Sequence, residues 1–313
     1  MNHPTRPRSR RSFRRRSTSF EPQFPAPFSV VGGDSLIGSA LVARARAQGV
    51  DVMATSRRPG ARWRVDLAES DTRTVDLPPA RAAAICLAMT DLRRCQADPA
   101  ASESVNLRGC VDIFRQYAAH GTRCVFLSTN QVFDGARAHR SADDAPNPSS
   151  VYGKHKAAAE SVIRASGGMS ARLTKVVHLG LPVFAAWSAA WSAGEPCQAF
   201  DDTFLCPVPL TKVVDALARV LAFGAPGIAY HVSADEDVSY FEFAREIARA
   251  AGVPPSLVQA VKGAERLQGP AFLRPRYSSL DTTNTEALGW RRPDWRQVAH
   301  ELAASMTAAA SGA

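Results

Sequence analysis

A tyrosine and a lysine lie four residues apart in the stretch SVYGKHKAAAE, at Tyr152 and Lys156. In a helix this spacing places the two side chains on one face. A nearby ammonium group stabilises a phenolate, so Lys156 is expected to lower the pKa of Tyr152. The pair could therefore give or take a proton at a reacting oxygen. The spacing alone is also compatible with the alternative interpretation, a surface tyrosine beside a solvated lysine.

Two hydroxyl side chains, Ser128 and Thr129, end the apolar run RCVFLST. This run is predicted to be a strand of a parallel sheet. Ligands of open α/β sheets bind at the carboxyl ends of the strands. The two hydroxyl groups are therefore expected to hold a substrate oxygen.

A glycine-containing turn lies in the stretch SVVGGDSLIGSALVARARAQG. A strand that ends in glycine before a helix can receive a pyrophosphate, because the backbone approaches closely and the first helical amides face the anion. Serine takes the place of the middle glycine, where its hydroxyl could cap the helix or bind phosphate. An ordinary tight strand–helix turn is the alternative. The residues predicted to bind cofactor here are Gly32, Ser35, Leu36, Ile37 and Gly38.

The second predicted strand ends in ATSRRPG, about 20 residues after the glycine turn. An acidic residue at this place usually selects NAD, whereas Arg57 and Arg58 suit the 2′-phosphate of NADP and leave no carboxylate to repel it. The sequence thus favours NADP, with NAD as the alternative cofactor and a solvated loop as the alternative interpretation. Asp66 and Leu67 are expected to border the adenine.

Strand and helix patterns alternate through the first half of the chain, which predicts a parallel sheet with helices on both faces. The expected fold is an α/β, Rossmann-type doubly wound sheet with a smaller C-terminal substrate-binding lobe. The cofactor-binding domain is predicted at residues 28–175 and the lobe mainly at 176–313. The stretch GIAYHVS in the second half is expected to return as a strand to the first sheet.

Seven arginines fall within the first sixteen residues and account for most of the net charge of +9. Residues 1–27 are predicted to be a disordered basic tail, because this composition cannot bury a core. Nonspecific attraction to nucleic acid or acidic surfaces and a transit peptide are the alternatives. No apolar segment follows the charges, which argues against a secretory signal, and no segment predicts a membrane span.

The six cysteines show no paired close spacing. They are therefore interpreted as thiols of a reducing cytoplasm, with neither a disulfide frame nor a metal site expected.

Several stretches together resemble the extended short-chain dehydrogenase/reductases, and within them the dTDP-4-dehydrorhamnose reductase-like, sugar-nucleotide-binding branch. They are VVGGDSLIGSALV, CQADPAASESVNLRGC, CVFLSTNQVFDG, PSSVYGKHKAAAE and RPRYSSLDTTNTEALGW. The resemblance implies a catalytic group of Thr129, Tyr152 and Lys156, the latter two also binding cofactor. It further implies substrate contacts from Asn106 and from the segment after Gly269, which contains Arg274.

Three departures accompany this resemblance. Ser35 replaces a glycine, Asn130 and Gln131 stand where the rhamnose reductases usually carry an aspartate–tyrosine pair, and the stretch LTKVVHLGLPVFAAWSAAWSAGEP is divergent.

The expected function is an NADP-dependent oxidoreductase that reduces a nucleotide-linked keto-sugar. A nucleotide-sugar epimerase and a non-catalytic NADP-binding regulatory or scaffold protein are the alternatives. A dehydratase is disfavoured, because Asn130 and Gln131 lack the carboxylates that elimination needs. A nucleotide-sugar is the expected partner, without specific nucleic acid or membrane, and the sequence is compatible with a homodimer.

Overall fold

The computed structural model describes residues 21–67, 75–266 and 275–311. Its strands are β1 (Phe28–Val31), β2 (Val52–Ala54), β3 (Ala82–Ile85), β4 (Arg123–Thr129), β5 (Met169–Leu173), β6 (Lys175–Val177), β7 (Cys197–Phe200), β8 (Phe204–Leu205), β9 (Pro207–Pro209), β10 (Ala229–Val232), β11 (Val238–Ser239) and β12 (Val258–Val261).

The helices lie between and after these strands in the described chain. They are α1 (Leu36–Ala47), α2 (Leu92–Ala97), α3 (Pro99–Glu103), α4 (Cys110–Ala119), α5 (Val151–Ala165), α6 (Pro182–Ser192), α7 (Leu210–Phe223), α8 (Tyr240–Ala250), α9 (Gly263–Arg266), α10 (Thr283–Glu286) and α11 (Trp295–Ser311). A π-helical turn, Ser104–Gly109, joins α3 to α4, and 3₁₀ turns lie at Asn130–Val132 and Pro255–Leu257.

Six strands form one parallel sheet in the order β10-β5-β4-β3-β1-β2. All four residues of β1 and of β3 are buried, as expected for strands covered on both faces. Alternate residues point to opposite faces: Val30 packs with α1 and α7, whereas Val31 packs with α4 and α5. The Rossmann-type prediction is confirmed, and GIAYHVS joins the sheet edge as β10.

A second apolar core lies outside the six-stranded sheet and holds α6, α8 and α11 together. Phe184 of α6 contacts the rings of Trp187 and Phe243 edge-on, with centroids 5.4 and 5.8 Å apart. Aromatic rings bury large apolar areas, so a few of them can hold such a small lobe together. Three two-stranded sheets, β11-β8, β12-β7 and β6-β9, complete this part of the molecule.

The last part of the predicted tail packs on the folded body. Phe24 is buried, and its ring stacks on Phe28 at 4.7 Å between centroids. Glu21 forms an ion pair with Arg44, 2.5 Å between the charged atoms. The prediction of disorder up to residue 27 is therefore wrong for residues 21–27, because one phenylalanine supplies a core contact that the average composition conceals. Residues 1–20 lie outside the described residues.

A buried charged group joins β5, α5 and β10 beneath the sheet edge. Arg172 donates two hydrogen bonds to Glu160, at 2.7 and 2.9 Å to Oε2. Its Nη1 also lies 3.3 Å from Nε2 of His231, whose Nδ1 lies 2.8 Å from the carbonyl oxygen of Asp281. The Asp281 oxygen can only accept, so Nδ1 carries the imidazole proton and Nε2 accepts from Arg172.

We expect His231 to make the protein acid-sensitive. Burial and the Arg172 charge lower its pKa from 6.5 to about 3. Below pH 6.5 this imidazole is protonated in the unfolded chain but stays neutral in the folded chain. The group therefore lowers the free energy of unfolding by about 1.4 kcal/mol for each pH unit of acidification. Urea unfolding at pH 4.5–7.5 measures the free energy of unfolding as a function of pH. This free energy should depend less steeply on pH for His231→Gln than for a control substitution of the exposed His120. Equal slopes would contradict this assignment.

Candidate active site

Two adjoining cavities open at the carboxyl edge of the sheet. The first, of about 400 Å³, lies between the ends of β1, β2 and β3. The second, of about 450 Å³, lies between β4, α5 and the start of β6. They share the loop residues Cys86, Leu87, Ala88 and Thr90. Together they form an elongated site at the sheet edge where α/β proteins bind dinucleotides.

The glycine turn is built as a close approach of backbone to backbone. Gly32 has a φ of +89°, which favours glycine. A side chain at Gly38 would collide with the Gly32 carbonyl oxygen. Ser35 caps α1, because its Oγ accepts from the Gly38 amide at 3.1 Å and donates to the Gly32 oxygen at 2.7 Å. Serine therefore fits in place of the middle glycine by tying the turn together.

The end of β2 holds an acidic side chain that the sequence analysis did not place there. The carboxylate of Asp34, from the glycine turn, accepts from Ser56 Oγ at 2.5 Å and from the Arg57 amide at 3.2 Å. Arg58 Nε lies 3.9 Å from its other oxygen. The expectation that no carboxylate stands beside the two arginines is wrong. The signal was the aspartate directly after the glycine pair.

The predicted cofactor residues divide between the two cavities. Leu36, Gly38 and Arg58 line neither of them. Gly38 nevertheless allows the close packing of the turn, and Leu36 is exposed at the start of α1. Those lining the first cavity are Gly32, Ser35, Arg57, Asp66 and Leu67, and those lining the second are Ile37, Tyr152 and Lys156.

The four side chains predicted to do chemistry meet in the second cavity: Ser128, Thr129, Tyr152 and Lys156. Helix α5 begins at Val151, after Ser150, whose Oγ accepts from the Gly153 amide at 3.0 Å. A side chain at Gly153 would collide with the backbone oxygen of Gln131. The glycine between Tyr152 and Lys156 thus lets α5 pack closely on the turn after β4, which places Tyr152 in the cavity that Thr129 also lines.

Burial further favours the neutral form of the tyrosine. It raises the pKa of Tyr152 above its ordinary value of 10. Lys156 is itself buried, with Nζ 3.8 Å from the centre of the Phe126 ring, and burial lowers its pKa to about 8. The expected lowering is therefore not seen in the net pKa of Tyr152, which burial dominates. The phenol is protonated at neutral pH, which suits a proton donor.

The hydroxyl groups at the end of β4 differ in their contacts. Thr129 Oγ1 accepts from the Gln131 amide at 3.1 Å and lies 3.4 Å from Asn130 Oδ1. Ser128 Oγ is buried and has no hydrogen-bond partner among the described residues. A buried hydroxyl without a partner is costly unless a ligand or water satisfies it. Ser128 thus indicates that a polar ligand group belongs in this cavity.

Asn106 lies behind the site and lines neither cavity. Its side chain is buried, accepts from the Met89 amide at 2.9 Å and donates to the Met89 oxygen at 3.0 Å. A third contact, at 3.2 Å, goes to Ser102 Oγ. The structure gives Asn106 the role of positioning the loop after β3, in place of the substrate contact predicted for it. Arg274 lies outside the described residues.

Other residues of the second cavity were missed in the sequence. Lys175 and Thr174 follow β5, and Phe204 and Tyr240 come from the second lobe. The strand ends and the aromatic residues were visible as patterns, but only the fold shows that they converge.

Among the described residues, no group of three histidine, cysteine or acidic side chains could hold a metal ion. The six cysteines are all free and buried. None of the described helices has the length and apolar character to cross a membrane.

A parallel six-stranded sheet with a capped glycine turn and a tyrosine–lysine helix beside its open edge defines a Rossmann-type protein of the dinucleotide-binding class. The chain belongs to the family described as the RmlD substrate binding domain, whose model matches residues 28–308.

Two of the similar proteins are named as dTDP-4-dehydrorhamnose reductases. A dTDP-4-dehydrorhamnose reductase of Streptomyces griseus is 28% identical over 281 residues, which are 85% of this chain and 89% of that protein. The enzyme of the same name from Mycobacterium tuberculosis is 27% identical over 266 residues, which are 81% of this chain and 84% of that protein.

A solved structure has the same fold. The dTDP-4-dehydrorhamnose reductase of Bacillus anthracis, in complex with NADP, superposes with a TM-score of 0.73 at 19% identity. The superposition covers 90% of this chain and 98% of that one.

Proposed function

We propose that this chain is an NADPH-dependent reductase of a nucleotide-linked keto-sugar. The observation that carries the proposal is the meeting of Thr129, Tyr152 and Lys156 in one cavity, which adjoins the glycine turn. The relatives support the substrate class, because two of them are named as dTDP-4-dehydrorhamnose reductases. A dTDP-linked keto-sugar is therefore the first substrate to test.

The residues of the first cavity fit a dinucleotide. Gly32 and Ser35 line the first cavity beside the start of α1, which suits a pyrophosphate, since helix N-termini attract anions. Arg57 and Arg58 offer charged donors to a 2′-phosphate. The NADP-bound relative supports this choice of cofactor. A bound nicotinamide supplies the hydride that reduces a carbonyl carbon.

Tyr152 is the proton donor in this proposal. Its buried phenol is protonated at neutral pH and delivers its proton to the oxygen of the carbonyl as negative charge develops there. Thr129 and Ser128 donate hydrogen bonds to the same oxygen, and the free Ser128 hydroxyl gains the partner it lacks. Lys156 places a positive charge beneath the site, which stabilises the phenolate left behind.

We expect Arg57→Ala/Arg58→Ala to weaken NADPH binding far more than NADH binding. Each charge-assisted phosphate contact contributes roughly 1.5–3 kcal/mol, so the loss is at least about tenfold. Isothermal titration with both cofactors measures it. Arg93→Ala is a suitable control, because Arg93 is exposed on α2 and lines neither cavity. An equal loss for both cofactors would remove the arginines from the 2′-phosphate site.

A screen of NADPH oxidation against nucleotide-linked keto-sugars tests the proposal. Absorbance at the NADPH band should fall with at least one of them, and the spent cofactor should exchange freely. Tightly retained cofactor without net oxidation would instead indicate an epimerase. Cofactor binding without turnover on any sugar would indicate a regulatory or scaffold protein. The homodimer and the cytoplasmic location remain predictions from the sequence.

A further inference from the structure

The carboxylate of Asp34 lies at the end of β2, beside Ser56 and Arg57. Two groups donate hydrogen bonds to its carboxylate, the Ser56 hydroxyl at 2.5 Å and the Arg57 amide at 3.2 Å, and the Arg58 guanidinium forms an ion pair with it at 3.9 Å. The Arg58 amide in turn donates to Ser56 Oγ at 3.0 Å. The carboxylate thus sits where hydroxyl, amide and guanidinium groups converge.

The same donors are those that a phosphate needs. Phosphate oxygens bind guanidinium, hydroxyl and backbone amide groups, and arginines after the second strand accommodate the 2′-phosphate of NADP. Asp34, Ser56 and Arg57 all line the first cavity, so the group faces the cofactor site. A carboxylate among these donors repels a phosphate, but it can accept hydrogen bonds from the ribose hydroxyls of NAD.

We infer that Asp34 competes with the 2′-phosphate for the donors of Ser56, Arg57 and Arg58, and thereby sets the balance between NADPH and NADH. The inference rests on the proposed function and deepens it. With Asp34 in place the chain discriminates weakly between the two cofactors and uses NADH as well. The hydrogen bond from Ser56 also lowers the pKa of Asp34.

The test is the affinity of each cofactor for Asp34→Asn, measured by isothermal titration without sugar. The amide keeps the shape of the side chain but loses its charge. We therefore expect the affinity for NADPH to rise by about tenfold or more, and the affinity for NADH to stay the same or fall. Asp51→Asn is the matched control. Asp51 is an exposed acidic residue at the other end of β2, and its removal should change neither affinity. Asp34→Ser serves as a second variant without the charge.

Equal changes for both cofactors, or no change in either folded variant, would overturn the inference. A melting curve shows that each variant is folded, and NADPH should raise the melting temperature of Asp34→Asn more than that of the wild type. If the wild-type chain binds neither cofactor, the proposed function and this inference both fail. If it binds NADPH and the Asp34 variants keep the wild-type preference, only the inference fails.

Discussion

Replacing Tyr152 by phenylalanine should lower kcat by roughly 10²–10⁴-fold, the share usual for a general acid. The substitution removes one oxygen from a buried ring, so the fold and the NADPH affinity should persist. Steady-state kinetics on an active keto-sugar and titration of NADPH measure the two effects separately.

Tyr240→Phe is the matched control for this prediction. Tyr240 lines the same cavity, is half-buried, and has a pKa that burial raises to about 12. Its phenol belongs to the second lobe and not to the tyrosine–lysine helix, so kcat should change little. If Tyr240→Phe lost turnover while Tyr152→Phe kept it, the proton donor would be misassigned.

Replacing Glu160 by leucine should lower the free energy of unfolding by about 3–5 kcal/mol, the cost of leaving a buried charge without its partner. Arg172 is fully buried and takes two hydrogen bonds to Glu160. Urea unfolding measures the loss. Glu160 lies on α5 one turn after Lys156, so this ion pair also anchors the helix that carries the site.

Two further variants sharpen this prediction. Glu160→Leu/Arg172→Met removes both charges and should be more stable than Glu160→Leu alone, because no uncompensated ion remains. Lys262→Met breaks an exposed pair with Asp201 and should cost no more than about 1 kcal/mol. A Glu160→Leu variant as stable as Lys262→Met would show that the buried pair does not hold α5 in place.

Periodicity made most of the fold predictable. The apolar strands and amphipathic helices alternate along the chain, and right-handed parallel connections leave few ways to arrange them. Even the return of GIAYHVS could be foreseen, because a buried apolar strand needs a sheet to join. Phe24 was missed because a single buried ring in a polar segment leaves no periodic signal.

The site was predictable where chemistry follows from spacing. Tyr152 and Lys156 share a helix face, and Thr129 ends a strand. Both placements follow from local geometry, which the sequence pattern predicts. Contacts between distant segments were not predictable in this way. Asp34 reaches the end of β2 across 22 positions of sequence, and Asn106 turns toward Met89 instead of the cavity. The raised pKa of Tyr152 comes from its burial, which spacing does not reveal.

Hydride transfer with labelled cofactor tests the reductase account most directly. NADPH that carries deuterium at the transferable position is mixed with the protein and a panel of nucleotide-linked keto-sugars, and the products are examined by NMR. The account predicts an alcohol with deuterium on the former carbonyl carbon, one per NADPH consumed, and far slower labelling with Tyr152→Phe. NADPH binding without oxidation or labelling on every keto-sugar would contradict it.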